Sequence, residues 1–379
     1  MKQLLIVIFL CIFGFLAQKN AFAISNPLEQ PNNFFGIHIL FTSELEKASE
    51  LINSTGGEWG YVTIPIQAGD KDLEKWQNFM DEAKKRKLIP ILRLATEGDY
   101  FNTSVWRKPT QTDLLDFANF LDSLSWPIEN RYVVIFNEMN RFDEWGGEAP
   151  DPKGYTELLN YSVDVFKSRS ADFFIIMGGL DNASPDDGIK YMDNFVFINE
   201  MYAHDKTIFN KIDGFASHSY PNPDFSQPPL DNKKIGITTY QYEYSLINSY
   251  TSRKLPVFIL ETGWNSKKLG ENLVAKYYKI AYGNIWNEDK DKIVAITPFL
   301  LISGGGSFDT FSFIQNGEET EYFKQAKDYV KTKGEPLIQA VEGLAISKIT
   351  ELKTKFFFKP QPNYTLANSL FIDYIKLFF

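Results

Sequence analysis

Cysteine is almost absent from this chain of 379 residues: the only one is Cys11. The residues around Cys11 lack the small residue expected before a lipidated cysteine, which argues against lipoprotein processing. Once the segment that carries Cys11 is removed, the chain can form no disulfide and offers no thiol chemistry. A chain that is 44% hydrophobic and 16% aromatic can still build a core that needs no disulfides.

Basic residues are outnumbered, with 39 Lys and Arg against 48 Asp and Glu, and the net charge is −9. This balance argues against nucleic acid or an anionic membrane as the partner, because both require a basic surface. A neutral partner such as a carbohydrate is compatible with it. Only three histidines are present. They form neither a His-x-His nor an HExxH arrangement, so the sequence predicts no metal site and no cofactor.

The first 23 residues have the pattern of a signal peptide. Lys2 gives a positive start, residues 4–17 are apolar, and Ala21-Phe22-Ala23 is a small-x-small cleavage site. Fourteen apolar residues are few for a membrane span, so we expect a secreted, periplasmic or cell-surface protein without stable membrane insertion. An uncleaved signal anchor is the alternative. Cleavage would remove two lysines and no acid, leaving a net charge of −11.

Short apolar runs alternate with longer amphipathic stretches from residue 34 onward. This alternation predicts an α/β fold with a parallel sheet, and eight runs favour a closed (β/α)8 TIM barrel over an open sheet. Helical stretches are predicted at residues 72–87, 113–124, 273–286 and 320–331. The predicted strands are residues 34–40, 59–66, 88–95, 132–136, 173–177, 212–217, 257–260 and 293–301.

Glycine-rich phosphate loops are missing. No such loop follows the first predicted strand, as a dinucleotide-binding fold would require. The run Gly304 to Gly306 lacks the Lys-Ser/Thr of a P-loop and is interpreted as a turn. Pro298 is poorly suited to a central strand, so we expect the last strand to end or bulge near Thr297.

Residues 334–379 do not continue the alternation and are predicted to be a C-terminal appendage to a barrel domain of residues 24–333. The apolar clusters at residues 356–358, 370–372 and 377–379 are typical of a small strand-rich cap. A chain that has been cut short is the other interpretation, and the sequence does not decide between them. The oligomeric state is not predicted.

Two of the apolar runs lead into a glutamate. Residues 132–136 precede Asn137 and Glu138, and residues 257–260 precede Glu261. In a (β/α)8 barrel the C-terminal ends of all strands meet at the face where active sites lie. Retaining hydrolysis of a glycosidic bond requires two carboxyl groups about 5–5.5 Å apart, one neutral and one ionised. The pair therefore predicts this chemistry, against the simpler alternative of two unrelated loop carboxylates.

These residues resemble the motifs of the clan A glycoside hydrolases, barrels that include cellulases, mannanases and xylosidases, over roughly residues 34–330. The resemblance implies that Glu138 is the acid/base, that Glu261 is the nucleophile, and that Asn137 binds the hydroxyl next to the reacting carbon. His218-Ser-Tyr220 is similar to the His-x-Tyr of several families of the clan. There the tyrosine hydrogen-bonds the nucleophile and the histidine contacts sugar.

Two positions depart from the clan pattern. Thr63 stands near the position where the clan usually has an arginine on strand two, so Arg93 on strand three is a candidate for that charge, with a structural salt bridge as its alternative. The tryptophan often found at the end of strand eight is missing, and Phe299 or Phe308 would replace it.

Three further residues are weaker candidates for sugar contacts. Aromatic rings pack against the C–H faces of sugars, which makes Trp264 and Trp145 candidates. For Trp145, burial against its own loop is the plainer interpretation. His38, at the end of the first strand, is the weakest of the three.

The sequence therefore leads us to expect a secreted retaining glycoside hydrolase acting on a β-linked oligo- or polysaccharide. A carbohydrate-binding barrel without catalysis is the alternative, and a transglycosylase would share the same residues.

Overall fold

A computed structural model of the chain describes residues 24–97 and 105–338. Eight parallel strands pair with one another in sequence order around a barrel, which confirms the predicted fold class. The predicted signal peptide and residues 339–379 of the predicted appendage lie outside the described residues. The strands are β1 Gly36–His38, β2 Gly60–Gln67, β3 Leu88–Ala95, β4 Arg131–Ile135, β5 Phe173–Met177, β6 Gly214–His218, β7 Val257–Glu261 and β8 Ile293–Ile296.

Helices alternate with the strands on the outside of the barrel. They are α1 Leu45–Ile52, α2 Leu73–Lys85, α3 Gln111–Asp122, α4 Pro152–Arg169, α5 Asn194–His204, α6 Ile208–Lys211, α7 Thr239–Ser249, α8 Ser266–Leu269, α9 Glu271–Ile280 and α10 Glu321–Lys327. Short 3-10 helices follow β1, β4 and β8 at Thr42–Glu44, Phe142–Glu144 and Gly306–Phe311, and a π turn and a 3-10 turn extend α9 through Ala281–Ile285 and Trp286–Asp289. A two-stranded hairpin, β9 Ile314–Gln315 and β10 Glu318–Glu319, precedes α10.

The barrel closes where β8 meets the start of β1. Ile296 forms a parallel bridge with Phe35, and its backbone N–H donates to the carbonyl of Phe34 at 2.8 Å. Beyond β8, the carbonyl of Pro298 accepts from the backbone N–H of His38 at 3.0 Å. The proline thus contributes only an acceptor beyond the last strand, in agreement with the predicted end of that strand near Thr297.

Helix α2 illustrates how the local sequence fixes an element. Asp72 caps the helix by accepting from the backbone N–H of Lys75 at 3.0 Å. The apolar positions 76, 79, 80 and 83 are buried against the strands, as the 3.6-residue period predicts. Leu73, predicted on the same face, is instead 54% exposed because it is the first residue of the helix.

Two apolar layers position the site. One lies between strands and helices, and the other fills the inside of the barrel. The aromatic side chains inside the barrel pack closely: the ring centroids of Tyr132 and Phe174 are 5.0 Å apart, and those of Tyr132 and Phe258 5.6 Å apart. The barrel interior is therefore filled, as in other TIM barrels, and chemistry is left to the C-terminal ends of the strands.

The first residues of the predicted appendage contact segments that precede two strands. The backbone N–H of Gly334 donates to Glu58 at 2.9 Å, and the carbonyl of Leu337 accepts from Glu129 at 2.8 Å. Whether residues 334–379 form a separate unit stays a prediction. Among the helices that the structure describes, none combines the length and the apolar character needed to cross a bilayer.

Candidate active site

Glu138 and Glu261 face each other across the C-terminal end of the barrel. Glu138 follows β4 by three residues, and Glu261 is the last residue of β7. One carboxylate oxygen of each, and one ring nitrogen of His218, all lie within 4.8 Å of one another. Retaining glycosidases hold their carboxyl groups about 5–5.5 Å apart, whereas inverting ones hold them about 6.5–9.5 Å apart. The observed spacing agrees with the retaining arrangement.

The backbone around Glu138 has an uncommon conformation. Phe136 has a φ of 63° and Glu138 a φ of 42°, both in the left-handed region. For residues other than glycine this region costs about 1–2 kcal/mol, and such strain is concentrated at functional sites. The backbone N–H of Glu138 donates to the carbonyl of Gly179 at 2.9 Å, which fixes the turn against the end of β5.

His218 and Tyr220, both predicted from sequence, each hold one glutamate. Nδ1 of His218 lies 2.8 Å from Oε1 of Glu138 and 3.9 Å from Oε2 of Glu261. The Tyr220 hydroxyl donates to Oε2 of Glu261 at 3.0 Å. Burial alone would lower the pKa of His218, but the negative charges of Glu261 and Glu138 outweigh burial, and the pKa is raised above its ordinary value. His218 is buried beneath the two carboxylates and is positioned to hold Glu138; it does not line the cavity.

His38 lies beneath the nucleophile candidate. It is fully buried, and its Nδ1 is 3.8 Å from Oε1 of Glu261. Burial, together with the positive charges of Arg93 and His218, holds its pKa well below the ordinary value. The predicted contact of His38 with sugar is not supported, because the side chain is fully buried and does not line the cavity.

A cavity of about 400 Å³ opens above the two glutamates. One side of it is polar and charged, whereas the other is formed by phenylalanines that pack edge to face, such as Phe225 on Phe311 at 5.0 Å. Phe299 and Phe308, predicted to replace the tryptophan of strand eight, both lie on this aromatic side. The lining residues are Arg93, Trp106, Asn137, Glu138, Arg141, Asp143, Glu144, Asp181, Ala183, Tyr220, Asn222, Phe225, Glu261, Phe299, Phe308 and Phe311.

The two tryptophans predicted to bind sugar lie in the hydrophobic core. Trp264 and Trp145 are each 1% exposed, and neither lines the cavity. The indole N–H of Trp264 donates to the carbonyl of Gln227 at 2.9 Å, and its ring packs on the edge of Tyr278. The structure therefore corrects this expectation. Trp106 is the tryptophan on the cavity wall, and sequence reasoning missed it.

The charged side of the cavity was also missed. Arg141 forms two hydrogen bonds with Asp143, at 3.0 and 2.8 Å, and one with Asp181, at 3.1 Å. Its Nη1 lies 3.6 Å from Oε2 of Glu138. Arg141 and Asp143 belong to the loop that contains Glu138, and Asp181 follows β5. A charged residue just beyond a barrel strand is the signal that could have identified Asp181.

Asn137 is held by a second carboxyl group, that of Glu144. The side-chain amide of Asn137 donates to Oε1 of Glu144 at 3.0 Å, while its own Oδ1 is buried without a hydrogen-bond partner. Glu144 lines the cavity, but burial and then the negative charge of Glu138 raise its pKa to about 8. Glu144 is therefore a neutral acid at pH 7, next to an amide oxygen that a ligand could satisfy.

Arg93 lines the cavity although the residue is only 6% exposed. Its Nε is buried and has no hydrogen-bond partner, and no carboxylate in the described part of the chain forms an ion pair with it. The expected direct contact with Glu261 is therefore not present. A buried N–H without a partner is costly, and the side chain places a positive charge at the cavity wall.

Within residues 24–97 and 105–338, the donor atoms of Glu138, His218 and Glu261 lie within 4.8 Å of one another, a spacing that could hold a metal ion. Each of these donors already has a protein partner: Nδ1 of His218 lies against Glu138, and Tyr220 donates to Glu261. A zinc ion would have to replace these contacts with bonds of about 2.0–2.2 Å.

Solved structures resemble this barrel, whereas no family model and no curated protein sequence matches the chain. A family 39 glycoside hydrolase from Bacteroides cellulosilyticus WH2 has a TM-score of 0.57 at 14% identity, over 80% of this chain and 64% of that one, less than two thirds of its length. A monomeric beta-xylosidase from Caulobacter crescentus CB15 has a TM-score of 0.53 at 13% identity, over 79% and 69% of the two chains. A glucosidase from Croceicoccus marinus has a TM-score of 0.57 at 9% identity, over 80% and 68%.

This chain has the fold of these glycoside hydrolases. The resemblance to clan A that the two strand-end glutamates suggested is thereby confirmed for the fold. Identities of 9–14% carry no information about substrate. What the glycoside hydrolase fold does in this protein has to be argued from the side chains in the cavity.

Proposed function

We propose that this protein is a retaining glycoside hydrolase that cleaves a β-linked oligo- or polysaccharide by double displacement. The observation that carries the proposal is the spacing of Glu138 and Glu261, which bring carboxylate oxygens within 4.8 Å in one cavity. Their partners differ: Glu261 accepts a hydrogen bond from a tyrosine hydroxyl, and Glu138 contacts a histidine and an arginine.

In the first step Glu261 acts as the nucleophile. The hydrogen bond from Tyr220 orients Oε2 of Glu261. As Glu261 forms a bond to the anomeric carbon, the bond from that carbon to the leaving oxygen breaks, and Glu138 gives its proton to this oxygen. The products of the step are a glycosyl ester on Glu261, the released alcohol and an ionised Glu138.

In the second step Glu138 acts as a base. The ester on Glu261 is neutral, so the negative charge that favoured protonation of Glu138 is gone. Glu138 takes a proton from water as the water oxygen bonds to the anomeric carbon and Glu261 leaves as a carboxylate. Two inversions at the same carbon retain its configuration.

The two sides of the cavity suit a sugar. Phe299 and Phe308 offer apolar faces to C–H groups, and the opposite side offers carboxyl, amide and guanidinium groups to hydroxyls. The buried Oδ1 of Asn137 and Nε of Arg93 lack partners in the structure. Both side chains line the cavity, so they place an amide and a positive charge at its wall.

A carbohydrate-binding barrel without catalysis is the second candidate, and one observation favours it. His218, whose pKa is raised, lies 2.8 Å from the Glu138 carboxylate, and the Arg141 guanidinium lies 3.6 Å from it. Positive charge at this position disfavours catalysis, because a catalytic acid has to carry a proton before it can donate one. The carboxylates of Asp143 and Asp181 offset the charge of Arg141, which is why we favour the hydrolase.

Hydrolysis of a panel of aryl β-glycosides and polysaccharides, with products identified by mass, tests the proposal. Wild type should release sugar, and Glu261→Ala should not. Proton NMR of the first product should show the β anomer. If wild type and Glu261→Ala are equally inert while both bind sugar by calorimetry, the binding protein is the correct candidate. A first product in the α configuration would contradict the retaining mechanism.

We further propose that residues 1–23 direct export of the protein. Expression of the full chain, followed by intact-mass measurement of the protein outside the cytoplasm, tests this. A mass that begins at residue 24 supports a cleaved signal peptide, whereas an intact N terminus in the membrane fraction supports the anchor.

A further inference from the structure

Arg141 links the candidate acid to two loops. Its guanidinium makes a two-point contact with Asp143, at 3.0 and 2.8 Å, and a third hydrogen bond with Asp181, at 3.1 Å. Nη1 lies 3.6 Å from Oε2 of Glu138. The backbone N–H of Arg141 also donates to the carbonyl of Glu138 at 2.9 Å. One residue therefore contacts both ends of Glu138, its backbone and its carboxylate.

Asp181, the partner of Arg141 on the second loop, is itself fixed. Its carboxylate accepts from the backbone N–H of Ala183 at 2.9 Å and from the hydroxyl of Ser184 at 3.0 Å. Its backbone N–H donates to Oδ1 of Asn140 at 3.0 Å, and its backbone carbonyl accepts from the side-chain N–H of Asn140 at 2.9 Å. Arg141 is thus clamped between two loops and cannot readily follow Glu138 if that side chain rotates.

Charged groups from several strands face this network. Glu138 meets His218 from β6 at 2.8 Å and the carboxylate of Glu261 from β7, and Glu144 lies in its own loop. Burial and the negative charge of Glu138 raise the pKa of Asp181. Nη1 of Arg141 faces Oε2 of Glu138 at 3.6 Å, and the guanidinium is shared among three carboxylates.

We propose that Arg141 is a positioning residue for Glu138: clamped by Asp143 and Asp181, it fixes the orientation of the Glu138 carboxylate and sets the pH range over which Glu138 exchanges its proton. This inference rests on the proposed function. In it, Glu138 alternates between acid and base, so neither form can be strongly favoured. Arg141 stabilises the base, and the two aspartates limit how far it does so.

Variants with opposite expected effects test the inference. The basic limb of the pH profile of kcat/KM reports the acid in the free enzyme. Arg141→Met removes a positive charge beside Glu138 and should move this limb to higher pH by about 0.5–1 unit. An adjacent arginine lowers the pKa of a carboxyl group by about 1–3 units, and a smaller shift is expected here because the charge of Arg141 is shared. Asp181→Asn leaves Arg141 less compensated and should move the limb down. Arg141→Lys keeps the charge and should restore the limb while kcat stays lowered, because a lysine cannot make the two-point contact with Asp143.

Arg86→Met is the matched control. Arg86 is an ion-paired arginine before β3, at the opposite end of the barrel, and lies 3.4 Å from Glu82. It should leave the pH profile unchanged. If the basic limb stays in place in both Arg141→Met and Asp181→Asn, or moves in the same direction in both, Arg141 has only a structural role and the inference is wrong. If Arg141→Met does not fold, Arg141→Lys decides: a wild-type kcat in this variant overturns the inference, because its lysine cannot make the two-point contact with Asp143.

Titration of the Glu138 carboxyl carbon by ¹³C NMR separates this inference from the proposed function. Glu138→Gln assigns the signal. If the wild type hydrolyses no glycoside, the proposed function fails, but opposite shifts of this titration in Arg141→Met and Asp181→Asn still support the role of Arg141. An unshifted titration overturns it whether or not the protein hydrolyses sugar.

Discussion

The hydroxyl of Tyr220 donates a 3.0 Å hydrogen bond to Oε2 of Glu261. The tyrosine ring packs against Phe225 in an edge-to-face arrangement, with the ring centroids 5.1 Å apart. Tyrosine and glutamate come from the ends of neighbouring strands, β6 and β7. Within the described residues, the Glu261 carboxylate is therefore oriented by a hydroxyl that the sequence places two residues after His218.

Replacing Tyr220 with phenylalanine should lower kcat/KM by about 10- to 100-fold, because a hydrogen bond to a charged group is worth about 1.5–3 kcal/mol. Steady-state kinetics on the best substrate of the panel measures this. Tyr240→Phe is the control: its hydroxyl bonds Asp289 at 2.9 Å, away from the cavity, so it should affect stability and leave kcat/KM unchanged. An unchanged kcat/KM in Tyr220→Phe would remove this hydrogen bond from the mechanism.

Gly179 leaves space for the ring of His218. A Cβ atom added to Gly179 would lie 2.2 Å from Cδ2 and 2.4 Å from Nε2 of His218. The ring would have to move, which breaks its 2.8 Å contact with Glu138. We expect Gly179→Ala to lower kcat/KM by at least about tenfold, since contacts to a charged group are worth more than about 1.4 kcal/mol.

The control for this variant is Gly69→Ala, because a Cβ at Gly69 meets no atom within 4 Å. It should leave both kcat/KM and the melting temperature near the wild-type values. Full activity in Gly179→Ala, with an unchanged pH profile, would mean that the contact of His218 with Glu138 is not needed for catalysis.

The fold could be predicted from the sequence because its signals are local. Each of the eight apolar runs became a strand, and the positions of Glu138 and Glu261 at strand ends follow from topology alone. Tyr220 and His218 were proposed from their resemblance to the His-x-Tyr motif of the clan, at the end of the sixth strand. In a parallel barrel, a residue at the C-terminal end of any strand lies at the same face of the barrel, so its position can be predicted without knowing the structure of the loops.

Side-chain direction in the loops could not be predicted. Trp264 lies three residues after Glu261, and either the core or the cavity could receive its ring; the structure turns it towards α9, where it packs on Tyr278. Trp106 comes from a loop with no strand end to mark it. Asp181 was predictable in principle, but its role depends on Arg141, a contact between two loops that no local pattern encodes.

A chelator should not affect the activity. The carboxylates of Glu138 and Glu261 have their charges balanced or hydrogen-bonded by Arg141, His218 and Tyr220, so the chemistry has no need of a metal ion at these donors. We expect kcat/KM to stay within about twofold after dialysis against EDTA, since loss of a true metal ligand costs about 10–100-fold or more. Activity that falls on dialysis and returns with added zinc, calcium or magnesium would reassign the site.

Glu144→Gln should stabilise the protein at alkaline pH. The pKa of Glu144 is raised from about 4.5 to about 8, so the folded chain binds a proton that the unfolded chain has lost across this range. The contribution of Glu144 to the free energy of unfolding therefore falls as the pH rises from about 4.5 to 8, and it does not change further above pH 8. Glutamine keeps the acceptor for Asn137 but has no proton to lose, so the variant should match the stability of the wild type near pH 4.5 and exceed it above pH 8.

The pKa shift of Glu144 sets an upper bound of about 5 kcal/mol on this gain in stability. Because Glu144 faces the cavity, about 1–2 kcal/mol is expected, or roughly 2–5 °C in melting temperature. Thermal unfolding from pH 4.5 to 9, with Glu74→Gln on the exposed face of α2 as the control, measures it. A constant difference across this range would show that Glu144 titrates as an ordinary exposed carboxylate.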